Sequence, residues 1–369
     1  MTTLPTVSRA AVLRKFNQPL SVEEVPVPQV IEPGAVLVRI EACSICGTDV
    51  HMADGELSLN VNLPVIIGHE MAGRVIAVGS GVERDSVGAP LRIGDRITYT
   101  NTSCGTCYFC TTARASTLCV NRRSYGYENV EQFPHLLGGF TEYGYVLPDA
   151  GRVRVPDSVS SELASLSSCA LRTVMHAMSQ LGAIEPTDVV VIQGAGPLGL
   201  FTAANARVRG ARKVIVIGGP ASRLELAEQF GAHECILLDT TSPAERLERV
   251  HALTGGRGAD IVIEVSGANA AFNEGIQLVR RGGRYLMAGI LGEGKVEFQP
   301  ALIVKKNITV LGSFSADARS YSLALEFMAA QQHNFAFEKM ITGRYKLDDV
   351  NLALKRMKNL EETKPMILV

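Results

Sequence analysis

The sequence has almost no net charge and no long apolar run. Its 369 residues hold 36 lysines and arginines against 37 aspartates and glutamates, a formal net charge of -1. Proteins that bind nucleic acid or anionic membrane surfaces carry basic patches, whereas the basic doublets here are short and scattered. No stretch reaches the ~20 apolar residues of a membrane span, and no repeat or low-complexity tract is present. These absences favour an enzyme of ordinary soluble type that acts on a small molecule, and the length suits two domains.

Four of the eight cysteines lie close together in one short stretch. Two-residue spacers separate Cys104, Cys107 and Cys110, and Cys119 follows after eight more residues. Such spacers let a tight loop present successive sulfurs to one point, which suits the closed tetrahedron of soft ligands around a structural Zn²⁺. Two disulfides are the alternative. They are disfavoured because the first fifteen residues lack the apolar core of an export signal, so we expect a reducing, cytoplasmic location.

A second set of candidate metal ligands is spread along the chain. A catalytic zinc needs three protein ligands and an open position for water or substrate. Cys46, His69 and Cys169 are the candidates, because thiolates and imidazoles are the ligands that zinc prefers, and Glu70 could occupy the fourth position. The two remaining cysteines, Cys43 and Cys235, lie in apolar runs and are interpreted as packing residues.

The two parts of the chain differ in pattern. Up to roughly Pro156, short alternating stretches bounded by glycine and proline predict a β-rich domain. From Ser161 onward, apolar strands alternate with helices, which is typical of βαβ units and a parallel sheet. We therefore predict an α/β protein with a β-rich domain at residues 1–165 and a doubly wound domain at 166–312. Residues 313–369 are expected to complete the first domain, with the strand-like tail 364–369 returning to it.

A glycine-rich turn joins an apolar strand at 188–193 to a helix, and a second apolar strand follows at 213–217. Glycines in this context let the backbone turn tightly and approach a pyrophosphate, whose charge is met by the amides of the helix N-terminus. The turn therefore predicts a dinucleotide-binding site. Its residues are Gly194, Gly196, Pro197, Leu198 and Gly199.

Together these motifs resemble the zinc-dependent medium-chain dehydrogenases of the alcohol dehydrogenase family, over nearly the whole chain. The segment Gly68-His69-Glu70, with Gly73 and Gly79 after it, is similar to the family's zinc signature. Cys46 and Cys169 stand where the other catalytic zinc ligands stand, and the four-cysteine lobe differs by one extra residue in its last gap. The resemblance implies a GroES-like catalytic domain, a Rossmann cofactor domain, two Zn²⁺ per subunit and hydride transfer between an alcohol and NAD or NADP.

The same resemblance implies roles for residues near Cys46. Thr48 would accept the proton of the zinc-bound hydroxyl, His51 would carry it to solvent, and Asp49 would orient His69. Helix capping by Thr48 and Asp49, with His51 on the surface, is the plain alternative. A homodimer or homotetramer is also implied.

The sequence departs from the commonest pattern at the adenosine end of the cofactor site. The strand ending at Gly218 lacks the Asp or Glu that NAD enzymes use on the ribose hydroxyls, while Ser222 and Arg223 suit a ribose phosphate. NAD and NADP therefore both remain open, and Gly218→Asp is expected to shift the preference towards NAD. By resemblance, Thr173 and Lys364 are expected near the nicotinamide and the pyrophosphate.

The residues expected around the substrate are largely apolar, which favours a secondary, cyclic or aromatic alcohol over a polyol. Arg172 is unusual so close to a candidate zinc ligand, and it is the first candidate for binding the substrate if the substrate is anionic. Two other classes remain open: a zinc-independent enone or quinone reductase, and a non-catalytic dinucleotide-binding sensor or structural protein. The candidate pocket walls are Thr48, Leu57, Tyr108, Tyr127, Phe133, Leu136 and Leu291.

Overall fold

The protein is described from a computed structural model, which covers residues 4–57, 60–289 and 294–369. Leu291 lies outside the described residues. The strands are β1 (Val7–Leu13), β2 (Ser21–Pro26), β3 (Val36–Ser44), β4 (Val65–Ile66), β5 (Met71–Val78), β6 (Arg96–Thr102), β7 (Tyr143–Val146), β8 (Ala150–Arg154), β9 (Val189–Gln193), β10 (Lys213–Gly218), β11 (Glu234–Leu237), β12 (Ala259–Glu264), β13 (Val279–Met287), β14 (Thr309–Gly312), β15 (Gly343–Tyr345) and β16 (Pro365–Leu368).

The helices alternate with strands in the second part of the chain, as the pattern predicts. They are α1 (Gly47–Ala53), α2 (Tyr108–Thr111), α3 (Ser161–Leu166), α4 (Arg172–Leu181), α5 (Pro197–Val208), α6 (Ala221–Gln229), α7 (Pro243–Leu253), α8 (Asn269–Leu278), α9 (Ala301–Lys306), α10 (Ala318–Gln331) and α11 (Val350–Lys358). A π-helical segment, Ser167–Leu171, joins α3 to α4. Within the described ranges, no helix is long and apolar enough to cross a membrane.

The sheet of the second part is parallel throughout, with strand order β11-β10-β9-β12-β13-β14. Counted from β9, this is the order 3-2-1-4-5-6 of the doubly wound dinucleotide-binding fold. Every residue of β9 is buried, as expected for a parallel strand covered on both faces. The predicted Rossmann domain is thereby confirmed. The strand order reverses between β9 and β12, which is where open sheets of this kind bind their ligands.

The first part of the chain is β-rich, as predicted, and has the GroES-like architecture. One sheet has the order β2-β1-β4, and a larger one has the order β15-β16-β3-β5-β6-β8, with β7 also paired to β3. The C-terminal strand β16 runs antiparallel to β3 and aligns Met366 with Ser44. The expected return of the tail to the first domain is therefore confirmed, and it brings residue 364 close to the loop that follows β3.

The chain divides into two compact units. The catalytic unit comprises Met1–Arg172, Ala316–Gln331 and Ile341–Val369, and the cofactor unit comprises Thr173–Ser315 and Gln332–Met340. These bounds differ from the predicted 165/166 and 312/313 by a few residues, and they move 332–340 out of the first domain. The reason for that shift is Phe337, whose ring lies 5.5 Å from the ring of Phe201 and 5.4 Å from that of Phe230. An aromatic cluster therefore holds this short segment in the cofactor unit.

Candidate active site

Four of the predicted residues converge on one point of the catalytic unit. Cys46, His69, Glu70 and Cys169 each place a ligand atom within 4.8 Å of the other three. They come from the start of α1, the turn before β5 and the segment between α3 and α4. Two thiols and an imidazole fit a zinc ion. The fourth coordination position could then be taken by water, by substrate or by the nearby carboxylate of Glu70.

The N-terminus of α1 orients two of these ligands at once. Cys46 is the N-cap residue, and its backbone amide donates to Oδ2 of Asp49 at 2.8 Å. The other carboxylate oxygen of Asp49 lies 2.9 Å from Nδ1 of His69. Because Asp49 is fully buried, this link is fixed, and it leaves Nε2 of His69 to face a metal. Asp49 can therefore cap the helix and orient His69 at the same time.

The pKa values of His69, Cys46 and Cys169 are shifted by their contacts with neighbouring groups. Burial works to lower the pKa of His69, but the charge and hydrogen bond of Asp49 outweigh it and raise that pKa well above its ordinary value. A hydrogen bond from Cys169 holds the pKa of Cys46 well below its ordinary value, and the same contact raises the pKa of Cys169. These opposite directions favour the thiolate at Cys46 and the thiol at Cys169, and binding of a metal to both sulfurs would release the remaining proton.

Cys169 reaches the cluster through an irregularity in its helix. It is the central residue of the π-helical segment between α3 and α4. A π-turn adds a residue to the helical repeat and turns the following side chains, and such turns are frequent at functional sites. The start of α3 is an ordinary N-cap, because the hydroxyl of Ser160 accepts a hydrogen bond from the amide of Leu163. The π-turn that follows has no comparable signal in the local sequence.

The four cysteines of the lobe also converge. The four sulfur atoms lie within 4.8 Å of one another, and all four residues are free thiols: Cys104, Cys107, Cys110 and Cys119. The sulfur of Cys107 is 3.6 Å from that of Cys110 and 4.0 Å from that of Cys119. Both distances are close to the ~3.8 Å edge of a tetrahedron with Zn–S bonds of about 2.3 Å. The side chain and amide of Thr106 lead the hydrogen bonds that lower the pKa of Cys104 to about 5, which favours the thiolate.

The glycine-rich turn in the cofactor unit has the geometry that a pyrophosphate needs. Gly194 has φ of +122°, and a Cβ on Gly199 would lie 1.9 Å from the carbonyl oxygen of Gly194. Gly196 caps α5, Pro197 begins it, and a Cβ on Gly196 would meet nothing within 4 Å. The amides of the first turn, which includes Leu198, therefore face open space at the N-terminus of a helix.

Comparison with known proteins agrees with this geometry. Residues 32–157 match the family described as alcohol dehydrogenase GroES-like domain, and residues 197–330 match the family described as zinc-binding dehydrogenase. The chain is 32% identical to 5-exo-hydroxycamphor dehydrogenase of Pseudomonas putida over 366 residues, 98% of each protein. The chain belongs to the zinc-type alcohol dehydrogenase family. It is therefore an oxidoreductase that acts on CH–OH groups with a nicotinamide cofactor.

Solved structures of this family share the whole fold. An alcohol dehydrogenase of Thermotoga maritima has a TM-score of 0.93 and 36% identity, covering 99% of this chain and 100% of that one. A zinc-binding dehydrogenase of Sinorhizobium meliloti 1021, bound to NADP, has a TM-score of 0.85 and 30% identity, with coverage of 99% and 100%.

One of the four converging residues, Glu70, belongs to a buried ion pair. Lys364 Nζ is 2.7 Å from Oε1 and 2.6 Å from Oε2 of Glu70, and neither residue is more than 1% exposed. The hydroxyl of Ser44 also donates to Glu70. Burial raises the pKa of Glu70 to about 7, against the opposing charge of Lys364. Sequence reasoning missed this pair, because it joins residues 294 positions apart.

The residues predicted to contact the adenosine end of the cofactor all lie in the cofactor unit. Gly218 ends β10, and Ser222 and Arg223 lie in the first turn of α6. A Cβ on Gly218 would lie 2.7 Å from the amide nitrogen of Ala195, so Gly218→Asp would displace the glycine-rich turn. The neighbouring Gly219 has more room, because its Cβ would make only ordinary contacts, with Leu237 at 3.6 Å and with a carboxylate oxygen of Asp239 at 3.9 Å.

The remaining predicted residues are only partly brought together. The Cys46 thiol contacts the hydroxyl of Thr48 at 3.6 Å, whereas Nδ1 of His51 is hydrogen-bonded to Glu56 at 3.0 Å. Thr173 lies in α4 within the cofactor unit. Among the suggested pocket walls, Leu57 and Tyr127 are partly buried, Leu136 lies fully inside the core, and Tyr108 and Phe133 are exposed.

Proposed function

We propose that the protein interconverts a secondary alcohol and its ketone with NAD or NADP, using one Zn²⁺ held by Cys46, His69 and Cys169. The observation that carries this proposal is the convergence of these three ligands and Glu70 within 4.8 Å. When bound, the metal supplies Lewis acidity that makes the alkoxide accessible near neutral pH.

Three residues near the proposed ligands have separate roles in proton transfer. We propose that Thr48 accepts the hydroxyl proton of the alcohol, since its Oγ1 already lies against the Cys46 sulfur. His51, on the same helix and with its side chain 37% exposed, would pass the proton to solvent beside Glu56. Asp49 would keep His69 in one tautomer through its hydrogen bond to Nδ1.

The substrate class is supported by the relatives. The P. putida relative is named for a hydroxycamphor, and one structural neighbour, from Bacillus subtilis, is a 2R,3R-butanediol dehydrogenase with 25% identity and a TM-score of 0.82. Both names describe a hydroxyl group on a secondary carbon. We therefore propose a secondary alcohol for this enzyme, which includes the cyclic class expected from the sequence.

The proposal is tested by following the formation of reduced nicotinamide with a panel of secondary, cyclic, aromatic and primary alcohols. NAD and NADP are compared in parallel, with and without a metal chelator. We expect turnover of secondary alcohols that the chelator removes and added zinc restores. Turnover that survives complete removal of zinc, or a panel on which only primary alcohols react, would contradict the proposal.

Cofactor preference is predicted to respond to Gly219→Asp. We infer that a carboxylate at this position would lie near the adenosine ribose and repel a ribose phosphate, so the ratio of kcat/KM for NAD to that for NADP should rise about tenfold, or ~1.4 kcal/mol. Gly218→Asp is the matched control, because it adds the same carboxylate at a position without space. It should weaken both cofactors instead. An unchanged ratio in Gly219→Asp would show that the adenosine ribose binds elsewhere.

We propose a second, structural zinc in the four-cysteine lobe. Cys107→Ala removes one of four ligands and is predicted to reduce the zinc content from two to one per subunit and to lower the yield of folded protein. Metal analysis of the purified variant, with its thermal midpoint, checks this. A variant with two zinc ions and unchanged stability would contradict the assignment. A homodimer or homotetramer in the cytoplasm remains our prediction for the assembled enzyme.

A further inference from the structure

One buried cation of the catalytic unit, Arg172, forms no salt bridge within the described part of the chain, although the charges of Cys169, Glu70 and Cys46 act on it. Arg172 is 7% exposed, and its Nη1 is buried without a hydrogen-bond partner among the described residues. Its Nε donates to the carbonyl oxygen of Ser168, the residue before Cys169, at 2.6 Å. The guanidinium lies over the ring of Tyr321, with Cζ 5.0 Å from the ring centroid. These two contacts fix the plane of the group and leave one edge unused.

Both carboxylates near the metal ligands are already paired. Glu70 is paired with Lys364, and Asp49 is hydrogen-bonded to His69. The two ligand thiolates are matched by the metal dication when it is bound. A buried arginine without a partner is costly, because its loss of hydration is not repaid by an ion pair. Nη1 of Arg172 is therefore left without a hydrogen-bond acceptor among the described residues, and a ligand could supply one.

A second arginine lies within electrostatic range of the first. Burial and, after it, the positive charge of Arg172 lower the pKa of Arg122, so each cation acts on the other. Arg122 is also near Tyr127, and the pKa of Tyr127 is raised by burial and by the charges of Asp49, Cys46 and Cys169. Two cations within electrostatic range of each other, one of them in the turn after Cys169, make a local excess of positive charge that suits an anion.

We propose that Arg172, supported by the positive charge of Arg122, binds an oxyanion carried by the alcohol substrate, a carboxylate or a phospho group, next to the metal ligands. This deepens the proposed function and rests on it. A planar guanidinium with a free edge suits such groups because it can donate two parallel hydrogen bonds. The enzyme would then select hydroxy acids or their phosphonate or phosphate analogues over neutral alcohols of the same shape.

The test uses three secondary alcohols that share one reacting half: 3-hydroxybutanoate, 2-hydroxypropylphosphonate and the neutral 4-methylpentan-2-ol. The zinc-loaded enzyme is assayed at saturating cofactor, and the readout is the ratio of kcat/KM for each anion to that for the neutral alcohol. We expect a ratio of about 10 or more for one anion, in line with charge-assisted hydrogen bonds of ~1.5–3 kcal/mol. The preferred anion distinguishes a carboxylate from a phospho group. Ratios near one for both anions would overturn the proposal.

Variants show whether Arg172 is responsible. Arg172→Gln should lower the anion-to-neutral ratio by about 10- to 100-fold, and Arg172→Lys, which keeps the charge but not the fork, should lower it less. Using the ratio removes any general loss of activity. Arg123→Gln is the matched control, because Arg123 is the next residue to Arg122, 44% exposed and near Glu128. An unchanged ratio in folded Arg172→Gln would overturn the proposal.

Direct binding separates this inference from the proposed function. Inorganic phosphate and acetate are titrated calorimetrically into the zinc-loaded enzyme with cofactor bound, first wild type and then Arg172→Gln. Binding of either anion that the variant weakens about tenfold supports the inference even if no alcohol in the panel reacts, a result that would count against the proposed function alone. If Arg172→Gln does not fold, anion binding by Arg172→Lys and the wild-type ratios decide. Absence of phosphate and acetate binding to the wild type would overturn the inference.

Discussion

Replacing Cys46 with alanine should reduce kcat/KM for any alcohol substrate by at least about 10³-fold, since a bound metal supplies several kcal/mol of transition-state stabilisation. Cys46 is one of the three zinc ligands that we propose, and without it only His69 and Cys169, with Glu70 beside them, remain. The catalytic unit should stay folded, because the capping carboxylate of Asp49 bonds to the backbone amide of residue 46 and not to its side chain. Loss of activity should therefore accompany loss of one zinc ion.

The matched control for this variant lies three residues earlier. Cys43→Ala removes the same thiol from strand β3, where Cys43 is fully buried and belongs to the hydrophobic core. We expect it to lower the free energy of unfolding by about 1 kcal/mol through a small cavity, with zinc content unchanged. Steady-state kinetics, metal analysis and thermal unfolding of both variants check the contrast. A Cys46→Ala protein that keeps its zinc and a tenth or more of its turnover would remove Cys46 from the ligand set.

Much of this site was accessible from the sequence, because its signals are local. Cys46, His69 and Cys169 are far apart in the chain, but each lies in a short motif that matches the family, so the motifs alone predict their convergence. The same is true of the glycine-rich turn at 194–199, which is recognised by the strand before it and the helix after it. Local patterns of this kind also predicted the parallel sheet and the return of the C-terminal strand to the first domain, where it pairs with β3.

What the sequence did not predict depends on packing between distant segments. The steric limit on Gly218 comes from Ala195, across two adjacent strand ends, and no pattern around either residue reveals it. The assignment of 332–340 to the cofactor unit depends on Phe337 meeting Phe201 and Phe230. Likewise, the resemblance suggested a pyrophosphate contact for Lys364, but nothing near it in sequence indicated its pairing with Glu70. The pyrophosphate contact remains a prediction.

Lys364→Met should destabilise the protein by about 3–5 kcal/mol at neutral pH, because it leaves the carboxylate of Glu70 buried without its cation. Glu70 is fully buried and would keep only the hydroxyl of Ser44 as a side-chain partner among the described contacts. Methionine keeps an unbranched, flexible side chain that fills most of the same space, so the loss is mainly electrostatic. Urea unfolding of wild type and variant, each fully loaded with zinc, measures the difference.

A double variant and the pH dependence show whether charge is the cause. Glu70→Gln combined with Lys364→Met removes both charges, and it should recover most of the stability that Lys364→Met loses.

The pH dependence gives the second check. In the metal-free protein, the pKa of Glu70 is already raised to about 7 with Lys364 present, above its ordinary 4.5. Removing the positive charge of Lys364 raises the pKa of Glu70 further. A carboxyl group with a raised folded-state pKa favours folding when it is protonated, and that contribution is lost as the pH rises through the folded pKa. The deficit of metal-free Lys364→Met should therefore be small near pH 5 and grow towards pH 8. A deficit independent of pH, or a double variant no more stable than the single one, would mean that Lys364 acts through packing and not through its charge.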